Sequence, residues 1–69
     1  MNIKVEYHIK KLRENKGLSL RQLADKAGIS HSSLYYIETG ERQPSFYVMC
    51  LLSLALETDI HNLYSLRSQ

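Results

Sequence analysis

The sequence predicts an all-α domain of five short helices. Three glycines divide the first forty residues and Pro44 follows soon after, so each segment between these breakers has the length of a helix. Within the segments, apolar residues recur at intervals of three and four positions, as they do along one face of a helix. We recognise no segment with the strict alternation of apolar and polar residues that indicates a half-buried strand, and therefore expect no sheet.

The first two helices have start and stop signals. The first is predicted from about Val5 to Lys16, and Gly17 is a natural residue to end it. Ser19 provides an N-cap for the second helix, with Gln22 three residues later in the pattern of a capping box, and Gly28 ends that helix. The apolar faces consist of Val5, Ile9 and Leu12 in the first helix and of Leu20, Leu23, Ala24 and Ala27 in the second.

The remaining three helices have similar signals. Ser30 caps the third helix and Gly40 ends it, Pro44 or Ser45 opens a fourth that extends to about residue 56, and Asp59 caps a short fifth. The residues expected to face inward are Leu34 and Ile37 in the third helix, Phe46, Met49, Leu52 and Leu56 in the fourth, and Ile60, Leu63 and Tyr64 in the fifth.

Length and composition fit a single domain over residues 1–69, with its core between about residues 5 and 66. The chain is 43% hydrophobic and 23% charged, and its net charge of +2 gives little drive for nonspecific packaging of nucleic acid. No signal peptide or membrane-length apolar run is visible, and the lone Cys50 fits a reducing compartment. We therefore expect a cytoplasmic protein that makes no membrane contact.

The junction between the second and third helices is the most informative stretch. Two helices that cross steeply within a few residues need a small side chain where they meet, which Ala24 supplies. The turn between them needs a residue that accepts a positive φ, and Gly28 does so at little cost. Leu23, Ile29, Leu34 and Ile37 would fill the angle between the helices. These constraints together predict a helix-turn-helix.

The residues around this junction also resemble a known family. The stretch Ile9–Ala24, IKKLRENKGLSLRQLA, is similar to the opening of the Xre, or lambda-repressor-like (Cro-type), helix-turn-helix family, and Gly28–Ser45, GISHSSLYYIETGERQPS, is similar to its second half. The resemblance extends from about Ile9 to Tyr64. It implies a compact five-helix lambda-repressor-like DNA-binding domain, in which helices 2 and 3 form the helix-turn-helix and the third helix enters the major groove.

The resemblance also implies which side chains contact DNA. His31, Ser32 and Tyr36 fall on positions that face bases. The alternative is that Ser30 to Ser33 merely cap the helix and that the tyrosines are core or surface packing residues. Contacts to the DNA backbone are predicted for Arg21, Arg42, Lys16, Lys10, Ser30 and Tyr35. Leu20 and Glu41 depart from the family pattern, because a phosphate-binding glutamine and a basic residue are common at these two positions.

A further implication of the resemblance is an ion pair between Arg13 and Glu38. The pair would link the first helix to the end of the third and would have a structural role. Leaving either partner buried alone would cost about 3–5 kcal/mol. The alternative is two independent surface charges.

The apolar composition of the fourth helix predicts a dimer. Residues 46–56 contain no charged side chain, and a helix that is apolar all round is buried all round, which so small a domain cannot achieve alone. We expect the outer side chains to meet a second copy of the chain, the interface residues being Tyr47, Val48, Leu51, Leu54 and Tyr64. The alternative is a larger core shared with the N-terminal residues Met1 to Tyr7.

These observations favour a regulator and not an enzyme. His8, His31 and His61 are scattered, so we expect no metal site, and nothing indicates a cofactor or small-molecule ligand. The predicted function is a sequence-specific transcriptional regulator, phage-repressor-like or restriction-modification controller-like, that binds a palindromic operator in double-stranded DNA as a homodimer. The alternative is an antitoxin-like protein-interaction module that binds DNA secondarily.

Overall fold

Four α-helices and a two-stranded sheet make up the fold. The computed structural model describes residues 2–68, so Met1 and Gln69 of the predicted domain lie outside the described residues. The elements in chain order are β1 (Ile3–Tyr7), α1 (Ile9–Asn15), α2 (Leu20–Ala27), α3 (His31–Thr39), α4 (Phe46–Ala55), one turn of 3₁₀ helix (Ile60–Leu63) and β2 (Tyr64–Ser68). None of the helices in the described part of the chain is both long and apolar enough to cross a membrane.

The expectation of an all-α fold with five helices is wrong. Strands β1 and β2 pair antiparallel, with Ile3 opposite Ser68 and Tyr7 opposite Tyr64. The predicted first helix therefore begins only at Ile9, and the predicted fifth helix is a single 3₁₀ turn. Both strands do alternate apolar and polar residues, IKVEY and YSLRS, which places their apolar side chains on one face of the ribbon.

The polar face of the ribbon carries its own contacts. Arg67 Nε lies 2.8 Å from Glu6 Oε1, and His8 Nε2 lies 2.7 Å from Ser65 Oγ. The backbone N–H of His8 also donates to Leu63 O at 2.8 Å. These bonds hold the two ends of the described chain together, which no helical arrangement of residues 5–8 would achieve.

The predicted helix caps are confirmed. The Ser19 hydroxyl accepts a hydrogen bond from Gln22 N, and the Gln22 side chain accepts one from Ser19 N, completing the capping box. Ser30 caps α3 and Ser45 caps α4 in the same way, each accepting from a backbone N–H three residues later. The starts of α2, α3 and α4 are therefore set by local signals.

The core lies between the helices. Its buried residues are Ile9, Leu23, Ala24, Ala27, Leu34, Ile37, Met49, Leu52, Ala55, Leu56 and Leu63. Phe46 was expected to join them, but it is 76% exposed. At 100° per residue, Phe46 is rotated by about 120° from Leu52 around the α4 axis, so it points away from the core. Tyr7 and Tyr64 pack partly against the core from the sheet.

Candidate nucleic-acid interface

A tight turn joins α2 to α3. Gly28 adopts a left-handed conformation with φ of 74°, and its backbone N–H donates to Asp25 O at 3.2 Å. The N–H of Ile29 donates to Ala24 O at 3.0 Å. Ala24 is fully buried at this crossing, where a larger side chain would separate the helices. Three residues, Gly28, Ile29 and the N-cap Ser30, thus connect α2 to α3.

Helix α3 has a buried face and an open face. Leu34 and Ile37 are buried against the core. The exposed side chains recur at intervals of three, four and seven positions, so they lie on one side of the helix. We call this side the outer face of α3; it consists of Ser32, Tyr35, Tyr36 and Thr39.

The structure separates the sequence-predicted base-contacting residues. Ser32 and Tyr36 lie on the outer face, whereas the half-buried His31 lies at its edge. His31 Nε2 is 2.9 Å from Asp25 Oδ1, so this nitrogen is engaged by α2. Ser30, predicted to contact the DNA backbone, donates its hydroxyl hydrogen to Ser33 Oγ at 2.8 Å and accepts from Ser33 N. Its side chain is therefore occupied by the helix cap.

Arg42 lies over the ring of Tyr36. Its guanidinium carbon is 5.4 Å from the ring centroid, in a cation–π arrangement. The backbone N–H of Arg42 donates to Tyr36 O at 3.1 Å, which holds the loop after α3 against the helix. The Tyr35 ring contacts the Tyr36 ring edge to face, with centroids 5.4 Å apart. Tyr36, Arg42 and the neighbouring Glu41 line a polar hollow next to the outer face.

The other basic residues predicted to contact the backbone are exposed. Arg21 lies in the first turn of α2, Lys10 in the first turn of α1, and Lys16 at the end of α1. Leu20, which departs from the family pattern at the start of α2, is partly buried against the core. Packing against the core therefore explains why a leucine occupies this position.

Arg13 and Glu38 form an ion pair between α1 and α3. Arg13 Nε and Nη2 donate to the two carboxylate oxygens of Glu38 at 2.7 and 2.9 Å, and Nη1 donates to Leu18 O at 2.9 Å. The side chains are only 11% and 5% exposed. The hydrogen bonds to Glu38 raise the pKa of Arg13 above its ordinary value, although burial opposes this. The pair fixes the end of α3, and with it the direction of the outer face.

A second surface is apolar. Residues 43–56 contain no charged side chain, and the exposed side of α4 presents Phe46, Tyr47, Cys50, Leu51 and Leu54. Among the predicted interface residues, Tyr47 and Leu54 are 71% and 76% exposed, whereas Val48 and Leu51 are half-buried and pack partly against the core.

The apolar side of α4 continues into a groove beside the sheet. The groove has a volume of about 370 Å³. Its lining includes Val5, Tyr7, Phe46, Ile60, Tyr64 and Leu66. Because Phe46 belongs to both parts, the α4 side and the groove form one continuous surface, which we call the apolar surface.

Sequence reasoning missed several of these residues. Thr39 completes the outer face, and its spacing of seven from Ser32 was a readable signal. Phe46 was assigned to the core, and Val5, Tyr7 and Leu66 require the sheet before they can be placed together. The stacking of Arg42 on Tyr36 has no signal in the order of residues, because it depends on the conformation of the loop after α3.

Comparison with known proteins agrees with this geometry. The helix-turn-helix family model matches residues 9–63. An uncharacterized HTH-type transcriptional regulator of Mycobacterium tuberculosis is 38% identical over 56 residues, which are 81% of this chain and 40% of that protein. The HTH-type transcriptional regulator SinR of Bacillus subtilis is 39% identical over 56 residues, 80% of this chain and 50% of SinR. This chain thus spans half or less of the length of these relatives.

Two solved structures are similar over most of the chain. The crystal structure of SinR, described as the master regulator for biofilm formation and solved in complex with DNA, has a TM-score of 0.75 at 38% identity and covers 78% of this chain and 87% of that one. The restriction-modification controller protein C.AhdI of Aeromonas hydrophila has a TM-score of 0.78 at 31% identity, with 80% and 83% covered. The resemblance inferred from the sequence is confirmed, and the chain belongs to the helix-turn-helix family.

Proposed function

We propose that this chain is a transcriptional regulator that binds a palindromic site in double-stranded DNA as a homodimer. The observation that carries the proposal is the outer face of α3, which the turn at Gly28 and the Arg13–Glu38 pair hold outside the fold. SinR, a regulator whose structure is known in complex with DNA, supports it by similarity. A regulator of this kind acts in the cytoplasm and has no catalytic role.

The shape of α3 suits the major groove. An α-helix with its side chains is about 10–12 Å in diameter, and a major groove about 12 Å wide admits one such helix. The nine residues of α3 give it a length of about 13.5 Å at 1.5 Å per residue. The exposed hydroxyl group of Ser32, the methyl group of Thr39 and the rings of Tyr35 and Tyr36 would meet base edges or thymine methyl groups, whereas the Thr39 hydroxyl is engaged by Tyr36 O.

The surrounding charges would hold the phosphates. Arg21 is exposed in the first turn of α2, where its guanidinium group would contact a phosphate. Lys10 and Lys16 on α1 would extend the contact. The negative charge of Glu41 opposes contact with the phosphates. This fits a monomer of low affinity that depends on a second copy of the chain for tight binding.

We propose that a second copy covers the apolar surface. Stable interfaces bury about 800 Å² per partner, roughly a sixth of the 4777 Å² that this chain exposes. The apolar surface offers large exposed side chains, Phe46, Tyr47, Leu54 and Leu66, and no charged residue on α4. Its interface would include Phe46, Cys50 and Leu66 beside the predicted Tyr47, Leu51, Leu54 and Tyr64. A two-fold dimer would present its two α3 helices about 34 Å apart.

Selection of bound oligonucleotides at a stated salt concentration tests DNA recognition. The wild type should enrich a palindromic site, and Ser32→Ala with Tyr35→Ala should lower the ratio of specific to random binding. Lys4→Ala, on the polar face of the sheet, is the matched control and should leave the ratio unchanged. An unchanged ratio in the double variant would show that the outer face of α3 does not read DNA.

Sedimentation analysis tests the dimer. The 8.0 kDa chain should sediment at twice its mass, and Leu54→Asp or Phe46→Asp should yield monomers without unfolding, because both side chains are exposed. Lys11→Asp on α1 is the control and should remain dimeric. Cys50 lies on the apolar surface, so its alkylation should slow as protein concentration rises. A wild type that stays monomeric would overturn the dimer and favour the antitoxin-like alternative, in which a different protein covers this surface.

A further inference from the structure

The outer face of α3 carries no side chain of the kind that pairs most selectively with a base. Ser32 and Thr39 offer single hydroxyl groups, and no arginine, lysine, asparagine or glutamine occurs within His31–Thr39. His31, the one other candidate, has its Nε2 engaged by Asp25. Strong discrimination between bases usually comes from two parallel hydrogen bonds made by one side chain. The structure supplies such a side chain from outside the helix.

Arg42 brings a guanidinium group to this face. Its side chain lies over the Tyr36 ring, and its backbone N–H is bonded to Tyr36 O. The Thr39 hydroxyl, in the last turn of α3, donates to the same carbonyl at 3.1 Å and accepts from the backbone N–H of Glu41 at 3.4 Å, so the start of the loop is fastened to the end of the helix. Within residues 2–68 the Arg42 guanidinium makes no ion pair, and its five N–H donors remain available to a ligand.

Stacking on an aromatic ring is more than a phosphate clamp needs. A phosphate accepts any nearby cation, whereas guanine O6 and N7 require a planar fork in a defined orientation. The Tyr36 ring, 5.4 Å from the guanidinium carbon, limits the space in which the Arg42 side chain can move, and the edge-to-face contact with Tyr35 limits the movement of the ring in turn. The Arg42 side chain then loses less rotational freedom when its guanidinium group forms two hydrogen bonds with a guanine.

We infer that Arg42 reads a guanine in each half of the DNA site and that Tyr36 is its positioning residue. This inference rests on the proposed DNA-binding function. It replaces the role in phosphate contact that the sequence suggested for Arg42, and it identifies a specificity-determining residue that lies outside the recognition helix.

Arg42→Lys separates the two roles, because lysine keeps the charge but lacks the planar fork. Oligonucleotide selection with the wild type should show one strongly preferred guanine per half-site. In Arg42→Lys this preference should fall by about tenfold or more, while the salt dependence of binding to random DNA changes little. Arg67→Lys, in the exposed pair with Glu6 on the sheet, is the matched control and should keep the preference.

Tyr36 variants test the positioning role. Tyr36→Phe keeps the ring and should keep the guanine preference, whereas Tyr36→Leu should weaken it without changing the salt slope. The Tyr36 side chain is 37% exposed, and thermal unfolding should verify that each variant remains folded. Equal guanine preference in Tyr36→Phe and Tyr36→Leu would remove Tyr36 from the inference.

A modified base gives the most direct measurement. Replacing the preferred guanine by 7-deazaguanine removes the N7 acceptor, which should weaken wild-type binding but cause no further loss in Arg42→Lys. An equal loss in both proteins, or a guanine preference retained by Arg42→Lys, would overturn the inference while leaving the proposed function intact. If the wild type selects no sequence at all, the proposed function fails and this inference fails with it.

Discussion

Arg13 on α1 and Glu38 on α3 are joined by two parallel hydrogen bonds, 2.7 Å from Nε to Oε2 and 2.9 Å from Nη2 to Oε1. The remaining terminal nitrogen of Arg13 donates to Leu18 O, the residue that follows the turn after α1. One side chain therefore connects the first helix, the loop after it and the end of the third helix. Because both groups are almost fully buried, each depends on the other for its solvation.

Glu38→Gln should destabilise the protein strongly. It removes the carboxylate charge and leaves the Arg13 guanidinium buried without a counterion, at a cost of about 3–5 kcal/mol. Arg13→Met with Glu38→Leu removes both charges and should cost less than either single change. Urea unfolding measures these differences. Lys26→Ala, which breaks the exposed pair with Glu57 at 3.7 Å, is the control and should cost less than about 1 kcal/mol.

Gly28→Ala should destabilise the fold through backbone strain alone. A Cβ at this position would meet no atom within 4 Å, but the φ of 74° is unfavourable for alanine by about 1–2 kcal/mol. Gly28→Asn should cost less, because asparagine tolerates this conformation better. Thermal unfolding checks both. Equal stability of Gly28→Ala and the wild type would contradict the left-handed turn between α2 and α3.

Glu57→Gly should have the opposite effect. Glu57 is the non-glycine residue with positive φ, 54°, among the described residues. Glycine adopts this conformation without strain, so the substitution should raise the free energy of unfolding by up to about 1 kcal/mol. Within residues 2–68 Glu57 makes one ion pair, the weak contact with Lys26, and losing it should offset little of the gain. A decrease in stability would contradict this prediction.

Asp59 should make the stability of the fold depend on pH in the acidic range. The backbone N–H of His61 donates to Asp59 and lowers the pKa of its carboxyl group, with a smaller contribution from the His61 ring. A folded-state pKa below the unfolded value of about 3.9 means that Asp59 stabilises the fold above that pH and loses this effect as pH falls through the lowered pKa. Thermal unfolding of the His61→Ala protein with and without Asp59→Asn isolates this group. The stability difference should be constant above about pH 5 and should shrink below pH 4; a difference that does not change with pH would contradict the assignment.

Arg21→Ala should weaken binding to all DNA sequences alike. Arg21 is exposed at the start of α2, where it would contact phosphate and not a base. Losing one phosphate contact should lower the slope of log affinity against log salt by about one. Titrations at several salt concentrations measure the slope, with Lys4→Ala as a control of equal charge change. A change in sequence preference would instead indicate that Arg21 contacts a base.

The helix-turn-helix was predictable from sequence because its signals are local. Ser19 and Ser30 each bond to a backbone N–H three residues later, and Gly28 sets a turn by its own φ. The alternation in β1 and β2 was also present, but Val5 shares helical spacing with Ile9, and that competing pattern led to the wrong assignment. A two-stranded ribbon is marginal by itself, so its sequence signal is weak without the core that supports it.

Sequence alone determined the positions of α2 and α3, their caps and the glycine turn between them, because each depends on contacts within a few residues along the chain. Tertiary structure decided the pairing of Ile3 with Ser68, the outward direction of Phe46 and the stacking of Arg42 on Tyr36. The first joins the two ends of the described chain, and the other two depend on how α4 and the loop after α3 pack. Such arrangements are set by three-dimensional proximity, which the order of residues does not encode locally.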